Sequence, residues 1–104
     1  MKQFDLYENP DSVSAKTYPY FVDVQSSLLS DLNSRVVIPM ARTSAQKPFP
    51  VNLCPIIEIS DEHFALLTHQ ITSVSRTFLR KKSGTLTLKR DDIIAALDFL
   101  FTGI

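Results

Sequence analysis

Two histidines are the side chains whose type and spacing come closest to a catalytic or metal-binding site. His63 and His69 lie six residues apart, which would place both side chains on the same side of a regular strand. Imidazole serves as a general base and as a metal ligand, but either role needs a carboxylate or a further ligand nearby. No motif supplies one, and we interpret the pair as ordinary histidines at the surface or in a subunit interface.

The adjacent carboxylates Asp91 and Asp92 could act as an acid pair, but neighbouring residues of a helix point in different directions. After them, apolar residues recur at steps of three and four, at Ile93, Leu97, Leu100 and Ile104. This period predicts a C-terminal helix over Asp91–Phe101, with Thr87 as its N-cap and Gly103 as its C-cap. Carboxylates in a first turn stabilise the positive end of the helix dipole, so we interpret both aspartates as structural.

Glycine and cysteine usage excludes several other kinds of site. Gly84 and Gly103 are the only glycines, so the sequence has no phosphate-binding glycine loop. Cys54 is the only cysteine, which rules out an internal disulfide and a thiolate metal cluster. Its apolar neighbours predict a buried, unreactive thiol. We expect neither a metal nor a cofactor.

The overall charge balance argues against partners such as nucleic acids and anionic membranes, which attract a protein through its net charge. Eleven basic residues balance eleven acidic ones, so nothing draws the whole chain onto nucleic acid or an anionic membrane. No segment approaches the roughly 18 apolar residues of a membrane span, and the first eight residues carry acids where a signal peptide needs an apolar run. We expect a cytoplasmic protein with no membrane partner and no direct sequence-specific binding of nucleic acid.

One segment departs from this balance. Between residues 76 and 90 the chain carries six positive charges and no acid, at Arg76, Arg80, Lys81, Lys82, Lys89 and Arg90. A solvated basic face is the default interpretation of such a run, and a surface for an acidic partner is the alternative. Phe78 is the only aromatic residue among these charges, which makes nucleic-acid binding the weaker interpretation.

Before the helix, apolar and polar residues alternate over short stretches that are broken by Pro, Asn, Asp and Ser, which predicts antiparallel strands. The predicted strands lie at Phe4–Leu6, Tyr20–Gln25, Val36–Met40, Cys54–Ile59 and His63–Gln70, with a lesser hairpin of Thr77–Leu79 and Thr85–Leu88 around a turn at Lys82–Gly84. Asp61-Glu62 is the predicted turn of the hairpin before it. Pro39 predicts a bulge or an edge, since proline cannot donate to a ladder. A chain of 104 residues suits one domain, 1–104.

Four short segments carry a resemblance that no single one of them would establish. They are Gln3-Phe4, the stretch FVDVQS at Phe21–Ser26, the stretch RVVIP at Arg35–Pro39, and the final Gly103-Ile104. In order and spacing these segments resemble the CcdB family, and the resemblance covers nearly the whole chain.

The resemblance implies a mainly β (α+β) fold, an SH3-like small barrel of antiparallel strands with an extra small sheet and a C-terminal α-helix, assembled as a homodimer. It also implies a toxin of a type II toxin-antitoxin system. Such a toxin binds the gyrase A subunit and traps gyrase with its DNA cleaved, acting by binding and not as an enzyme. A cognate antitoxin neutralises it through a disordered C-terminal arm that folds on binding.

Carried over position by position, the resemblance assigns gyrase contacts to Thr102, Gly103, Ile104, Phe101, Asp98, Leu28 and Leu29. The two leucines have an equally plain interpretation as core residues. At the position of Thr102 the best-known family members carry tryptophan, which supplies a large rigid contact area that threonine lacks. An acidic stretch of the antitoxin arm would match the basic residues Arg76, Arg80, Lys81 and Lys82.

Two alternative functions stay open. The same fold is used by toxins that cleave RNA, and the fold alone does not choose between the two activities. RNA cleavage needs an acid, a base and a cation, which His63 or His69 with Arg76 or Arg80 could supply. The Gly-Ile ending favours the gyrase poison, because an RNA endonuclease has no use for an apolar tail. The third function is that of an inactive relative that only binds an antitoxin.

Overall fold

The computed structural model describes residues 1–43 and 49–103, and the alternating segments form seven strands there. They are β1 (Asp5–Glu8), β2 (Tyr20–Asp23), β3 (Ser34–Arg42), β4 (Ile56–Ile59), β5 (Glu62–Leu66), β6 (Thr72–Ser75) and β7 (Lys82–Thr85), followed by the helix α1 (Arg90–Thr102). All strand pairs are antiparallel, in the order β4-β5-β3-β2-β1-β7, with β6 also paired to β3. The sheet curls into a half-barrel, which confirms the predicted mainly β fold with a C-terminal helix.

The longest strand, β3, organises the sheet. One side of it pairs with β2 in regular register, while the other side pairs first with β6 and then, from Met40 onward, with β5. Pro39 lies where this second neighbour changes. Its carbonyl accepts a hydrogen bond from the Leu67 N–H at 3.0 Å, so its nitrogen faces the same gap between strands. The ladder on this side of β3 is interrupted at Pro39, between Val37 and Met40, as expected for a residue that cannot donate an N–H, and the interruption takes the form of a change of neighbour.

Apolar side chains cover both faces of the sheet because successive strand residues point to opposite sides. On one face Val22, Ile38 and Phe64 pack with the buried helix residue Ile93. On the other face a smaller cluster holds Tyr7, Phe21, Val37 and Leu79. Residues that alternate along β2 and β3 therefore enter two different clusters, and α1 closes the larger one.

The helix begins and ends close to the predicted positions. Residues Thr87–Lys89 form a 3-10 turn, and Lys89 occupies the N-cap without a side-chain hydrogen bond, so the prediction of Thr87 as N-cap is wrong. The Thr87 hydroxyl lies 2.7 Å from the Thr85 hydroxyl instead. At the other end the prediction is confirmed: Gly103 has a φ of 74° and donates its N–H to the Phe99 carbonyl at 3.0 Å.

The predicted lesser hairpin in the basic segment is wrong. Residues 82–85 form the strand β7, and its partner is β1 at the start of the chain. Residues 76–78 and 87–89 form 3-10 turns where two short strands were predicted. Residues 82–85 pair with β1 instead of with a neighbouring segment, because this pairing adds a strand to a large sheet. An isolated two-stranded hairpin is only marginally stable in water.

The hairpin of β4 and β5 is confirmed, with its turn one residue earlier than predicted. Ser60 and Asp61 both have positive φ values, 51° and 65°, as in the tight turns that suit the twist of a hairpin. The strand predicted to reach Gln70 ends at Leu66 and is followed by a 3-10 turn at Thr68–Gln70. Among the described residues, no helix combines the length and the apolar character that a membrane span requires.

Candidate functional site

The last turn of α1 presents polar and aromatic side chains to solvent. Phe101 is 71% exposed, and Asp98, Thr102 and Gly103 are exposed as well. The Thr102 hydroxyl donates to the Asp98 carbonyl at 2.6 Å, which ties the end of the helix to its previous turn. Gly103 adopts a left-handed conformation and ends the helix. Ile104, the remaining predicted contact of this end, lies outside the described residues.

The two leucines assigned by resemblance are displayed and not packed. They lie on the 3-10 turn Ser27–Leu29 after β2, where Leu28 is 94% exposed and Leu29 is 50% exposed. The alternative interpretation of these leucines as core residues is therefore wrong. Sequence reasoning missed Leu32, which is also 50% exposed and lies one turn further along. A third leucine in the same connection, three residues after Leu29, was the available signal.

An open groove of about 760 Å³ runs between α1 and the segment that precedes β4. Its apolar lining includes Val51, Ile56 and Phe99, which are all exposed large side chains, and Gly103 also lines it. Ile94, by contrast, packs partly buried against the core, so the large apolar side chains that α1 leaves exposed are Phe99 and Phe101.

The basic segment is largely engaged by the protein itself. Two of its residues form ion pairs with β1 and its edge: Lys81 Nζ lies 3.1 Å from Glu8 Oε2, and Lys82 Nζ lies 3.4 Å from Asp5 Oδ1. A third residue, Arg76, donates from its guanidinium to the Ser30 carbonyl at 2.8 Å. Of the four residues predicted to bind the antitoxin, only the Arg80 side chain has no polar partner within residues 1–43 and 49–103.

The two histidines do not share a site. His63 lies on β5, exposed, with its Nε2 3.8 Å from Glu58 Oε2. His69 lies in the 3-10 turn after β5, with its Nδ1 3.6 Å from the Cys54 sulfur. β5 ends at Leu66, so the two histidines do not lie on one face of a single strand as the spacing predicted. In the described part of the chain no group of three or more His, Cys, Asp or Glu is placed to hold a metal ion.

The thiol of Cys54 is fully buried, as predicted. Burial raises the pKa of the thiol above its ordinary value, and a backbone hydrogen bond from Thr68 opposes the shift only in part. A raised pKa and an inaccessible sulfur both disfavour the thiolate, so Cys54 packs as an apolar residue and offers no nucleophile.

A buried ion pair that the sequence did not reveal joins β2 to β3. The Nε and Nη2 atoms of Arg35 lie 2.8 and 2.7 Å from Asp23 Oδ2, and both side chains have no exposed area. Burial raises the pKa of Asp23, although hydrogen bonds from the Arg35 guanidinium and the Gln25 N–H lower it. The other two nitrogens of the guanidinium, Nη1 and Nη2, have no hydrogen-bond partner among the residues described, so Nη2 contacts Asp23 as an ion pair without hydrogen-bond geometry.

Comparison with known protein families matches residues 3–103 to the family described as CcdB protein. The matched range contains both displayed surfaces, the leucines after β2 and the end of α1. It also contains the groove beside Phe99 and the basic segment. The match therefore extends over nearly the whole chain and is not confined to one motif.

Proposed function

Because this chain belongs to the CcdB family of toxins, which are the toxic members of toxin-antitoxin pairs, we propose that it poisons DNA gyrase by binding. Its target is the gyrase A subunit, and the outcome is gyrase trapped with its DNA cleaved. The toxin makes and breaks no bond itself. It acts in the cytoplasm, where gyrase and DNA are found, and uses no cofactor or metal.

The observation that carries this proposal is the exposure of Phe101 at the capped end of α1. An aromatic ring in water at the end of a helix adds nothing to the core, and aromatic anchors of this kind dominate binding energy in protein interfaces. Thr102 and Gly103, which are both exposed, continue this surface. Asp98 lies one helical turn earlier and contributes a negative charge at the rim of the proposed gyrase-binding surface.

Leu28 and Leu29 supply a second apolar contact to gyrase. Their exposure removes the competing interpretation, in which they would fill the core. A monomeric domain would lose little by carrying polar residues at these two positions, and exposed apolar groups with a polar surround are typical of binding surfaces.

The groove beside α1 supports a homodimer. It exposes Val51, Ile56 and Phe99 together, and a second copy that presents the same apolar surface about a two-fold axis would cover them. Because Gly103 also lines the groove, this packing would bring the ends of the two helices near one another. A monomeric mass in sedimentation at micromolar concentration would contradict this assembly.

The antitoxin arm binds the basic segment, with Arg80 as its main ionic contact. Lys81 and Lys82 already have carboxylate partners, and Arg76 already donates to a carbonyl, so each must exchange a partner to bind an acidic arm. Exposed pairs contribute about 0.2 to 1 kcal/mol each and weaken in salt.

The experiment that tests the proposed function uses purified protein with gyrase, supercoiled DNA and ATP. Linear DNA after treatment with detergent and protease is the expected result, with bulk RNA left intact in a parallel reaction. Cleavage of RNA without linear DNA would favour an RNA endonuclease. Antitoxin binding with neither activity would identify an inactive relative.

A further inference from the structure

The connection between β2 and β3 displays Leu28, Leu29 and Leu32, and we call these three residues the leucine loop. Their exposed fractions are 94%, 50% and 50%. Apolar side chains on an unsupported connection would sample many conformations, and binding would then cost the entropy of ordering them. Three sets of hydrogen bonds restrain the backbone of the leucine loop and reduce this conformational freedom.

The first support is the side chain of Gln25, which is buried at the end of β2. Its Nε2 donates to the Leu29 carbonyl at 2.8 Å, and its Oε1 accepts from the Val36 N–H at 3.0 Å. One amide group therefore joins the leucine loop to the start of β3. Because the amide is largely removed from water, competition by solvent for these two hydrogen bonds is weak.

The second support is Arg76, which approaches from the basic segment. Its guanidinium donates to the Ser30 carbonyl at 2.8 Å, and its backbone N–H donates to the Asn33 carbonyl at 2.8 Å. These contacts join the leucine loop to the start of the basic segment, which is distant along the chain. The hydrogen bond from the exposed Arg76 guanidinium to the Ser30 carbonyl restrains the backbone of the leucine loop.

The third support is the buried ion pair of Asp23 and Arg35, which lies where β2 leads into the loop. Asp23 accepts a hydrogen bond from the Gln25 N–H at 3.0 Å with the oxygen that does not face Arg35. The buried ion pair thus fixes the backbone from which the Gln25 side chain reaches Leu29. At the surface the Ser26 hydroxyl caps the turn by accepting from the Leu28 N–H at 3.2 Å.

We propose that Gln25 and Arg76 are positioning residues, which hold the leucine loop in its binding conformation, and that Leu32 is a third gyrase contact beside Leu28 and Leu29. This inference rests on the proposed binding of gyrase. The partner surface is an apolar pocket on the gyrase A subunit. Arg76 therefore acts on gyrase binding through the leucines, in addition to any charge it offers the antitoxin.

A double-mutant cycle separates positioning from direct contact. Arg76→Ala should weaken binding to the gyrase A subunit by roughly threefold to tenfold, the scale of one lost hydrogen bond. In a protein that also carries Leu28→Ala, Leu29→Ala and Leu32→Ala, the same change should have little further effect. Lys89→Ala removes an exposed charge elsewhere and should leave binding unchanged. Equal effects of Arg76→Ala in both backgrounds would overturn the positioning role.

Amide hydrogen exchange tests the same role without gyrase. The Leu29 and Leu32 N–H groups donate to carbonyls within the loop, at 2.9 and 3.2 Å. Arg76→Ala and Gln25→Glu, which removes the donor to Leu29, should each speed their exchange, while the amides of β3 keep their protection. Unchanged exchange in both variants would overturn the proposal. If the wild-type protein fails to bind gyrase, the proposed function fails, and the exchange rates still decide whether these residues hold the loop.

The contact role of Leu32 has its own test. Leu32→Ser should weaken gyrase binding as Leu28→Ser does, with unfolding temperatures close to that of the wild type. Leu88→Ser is the matched control, because Leu88 is fully exposed on a turn before α1 and belongs to neither surface. Wild-type affinity in Leu32→Ser would remove this residue from the gyrase surface.

Discussion

Asp23 on β2 and Arg35 on β3 form an ion pair of 2.7 Å in which both side chains are completely buried. Removal of one partner leaves the other charge in the core without compensation. Arg35→Met or Asp23→Leu should therefore lower the free energy of unfolding by about 3–5 kcal/mol. The double variant should recover most of this loss, since an apolar pair of similar volume needs no desolvation of charge. Urea unfolding of the four proteins measures it, and a double variant less stable than either single variant would contradict it.

Deletion of residues 102–104 should abolish gyrase poisoning and leave folding and most antitoxin binding intact. Thr102 and Gly103 are exposed and follow the last core contacts of α1, so their removal takes little from the core. Linear DNA in the gyrase reaction and the melting temperature should be measured on the same preparation. Val13→Ser, which changes another exposed apolar residue, is the control. A truncated protein with normal melting that still traps cleaved DNA would contradict the role of the tail.

Thr102→Trp should strengthen poisoning. The change sacrifices one hydrogen bond to the Asp98 carbonyl but adds a large rigid ring beside the exposed Phe101. We expect half-maximal DNA cleavage at a lower toxin concentration, measured by titration into a fixed amount of gyrase. Thr102→Leu tests whether simple apolar area is enough. No gain in either folded variant would mean that this position meets no apolar pocket on gyrase.

Charge reversal at Arg80 should weaken antitoxin binding more than reversal at Lys81. Arg80 has no ion pair among the described residues, whereas Lys81 has Glu8 at 3.1 Å, and an acidic arm would have to displace that carboxylate. The difference should shrink as salt increases, because these charges are exposed. Calorimetry of Arg80→Glu and Lys81→Glu at low and high salt measures it. Identical affinities of both variants and the wild type would leave the segment as a solvated face.

Stability should fall in alkaline solution because two buried acids ionise with difficulty. Burial raises the pKa of Tyr7, with help from Asp5 and Asp23 and against Arg35 and Arg76, and burial likewise raises the pKa of Cys54. A folded-state pKa above the unfolded value means that the stabilisation is complete below the unfolded pKa and is lost as pH rises through the folded one. Unfolding should be followed from neutral to alkaline pH. Tyr7→Phe should flatten the decline, and an unchanged slope would contradict the assignment.

The sequence by itself determined the elements whose signals are local. The period of three and four residues fixed α1, Gly103 fixed its end, and alternation with a polar turn fixed the hairpin of β4 and β5. In each case the residues that carry the signal also make the hydrogen bonds of the element, so neighbours along the chain suffice to specify it. The family followed from short segments in order and spacing.

The tertiary structure decided what depends on contacts between distant parts of the chain. Residues 82–85 form β7 because β1 lies beside them as a pairing partner, and Lys81 forms an ion pair with Glu8. Contacts between distant segments also decide three other features. They are the exposure of Leu28, the burial of Asp23 with Arg35, and the hydrogen bonds from Arg76 to the leucine loop. An exposed leucine and a buried one look alike in a sequence, since only the packing of other elements around a side chain determines whether it is removed from water.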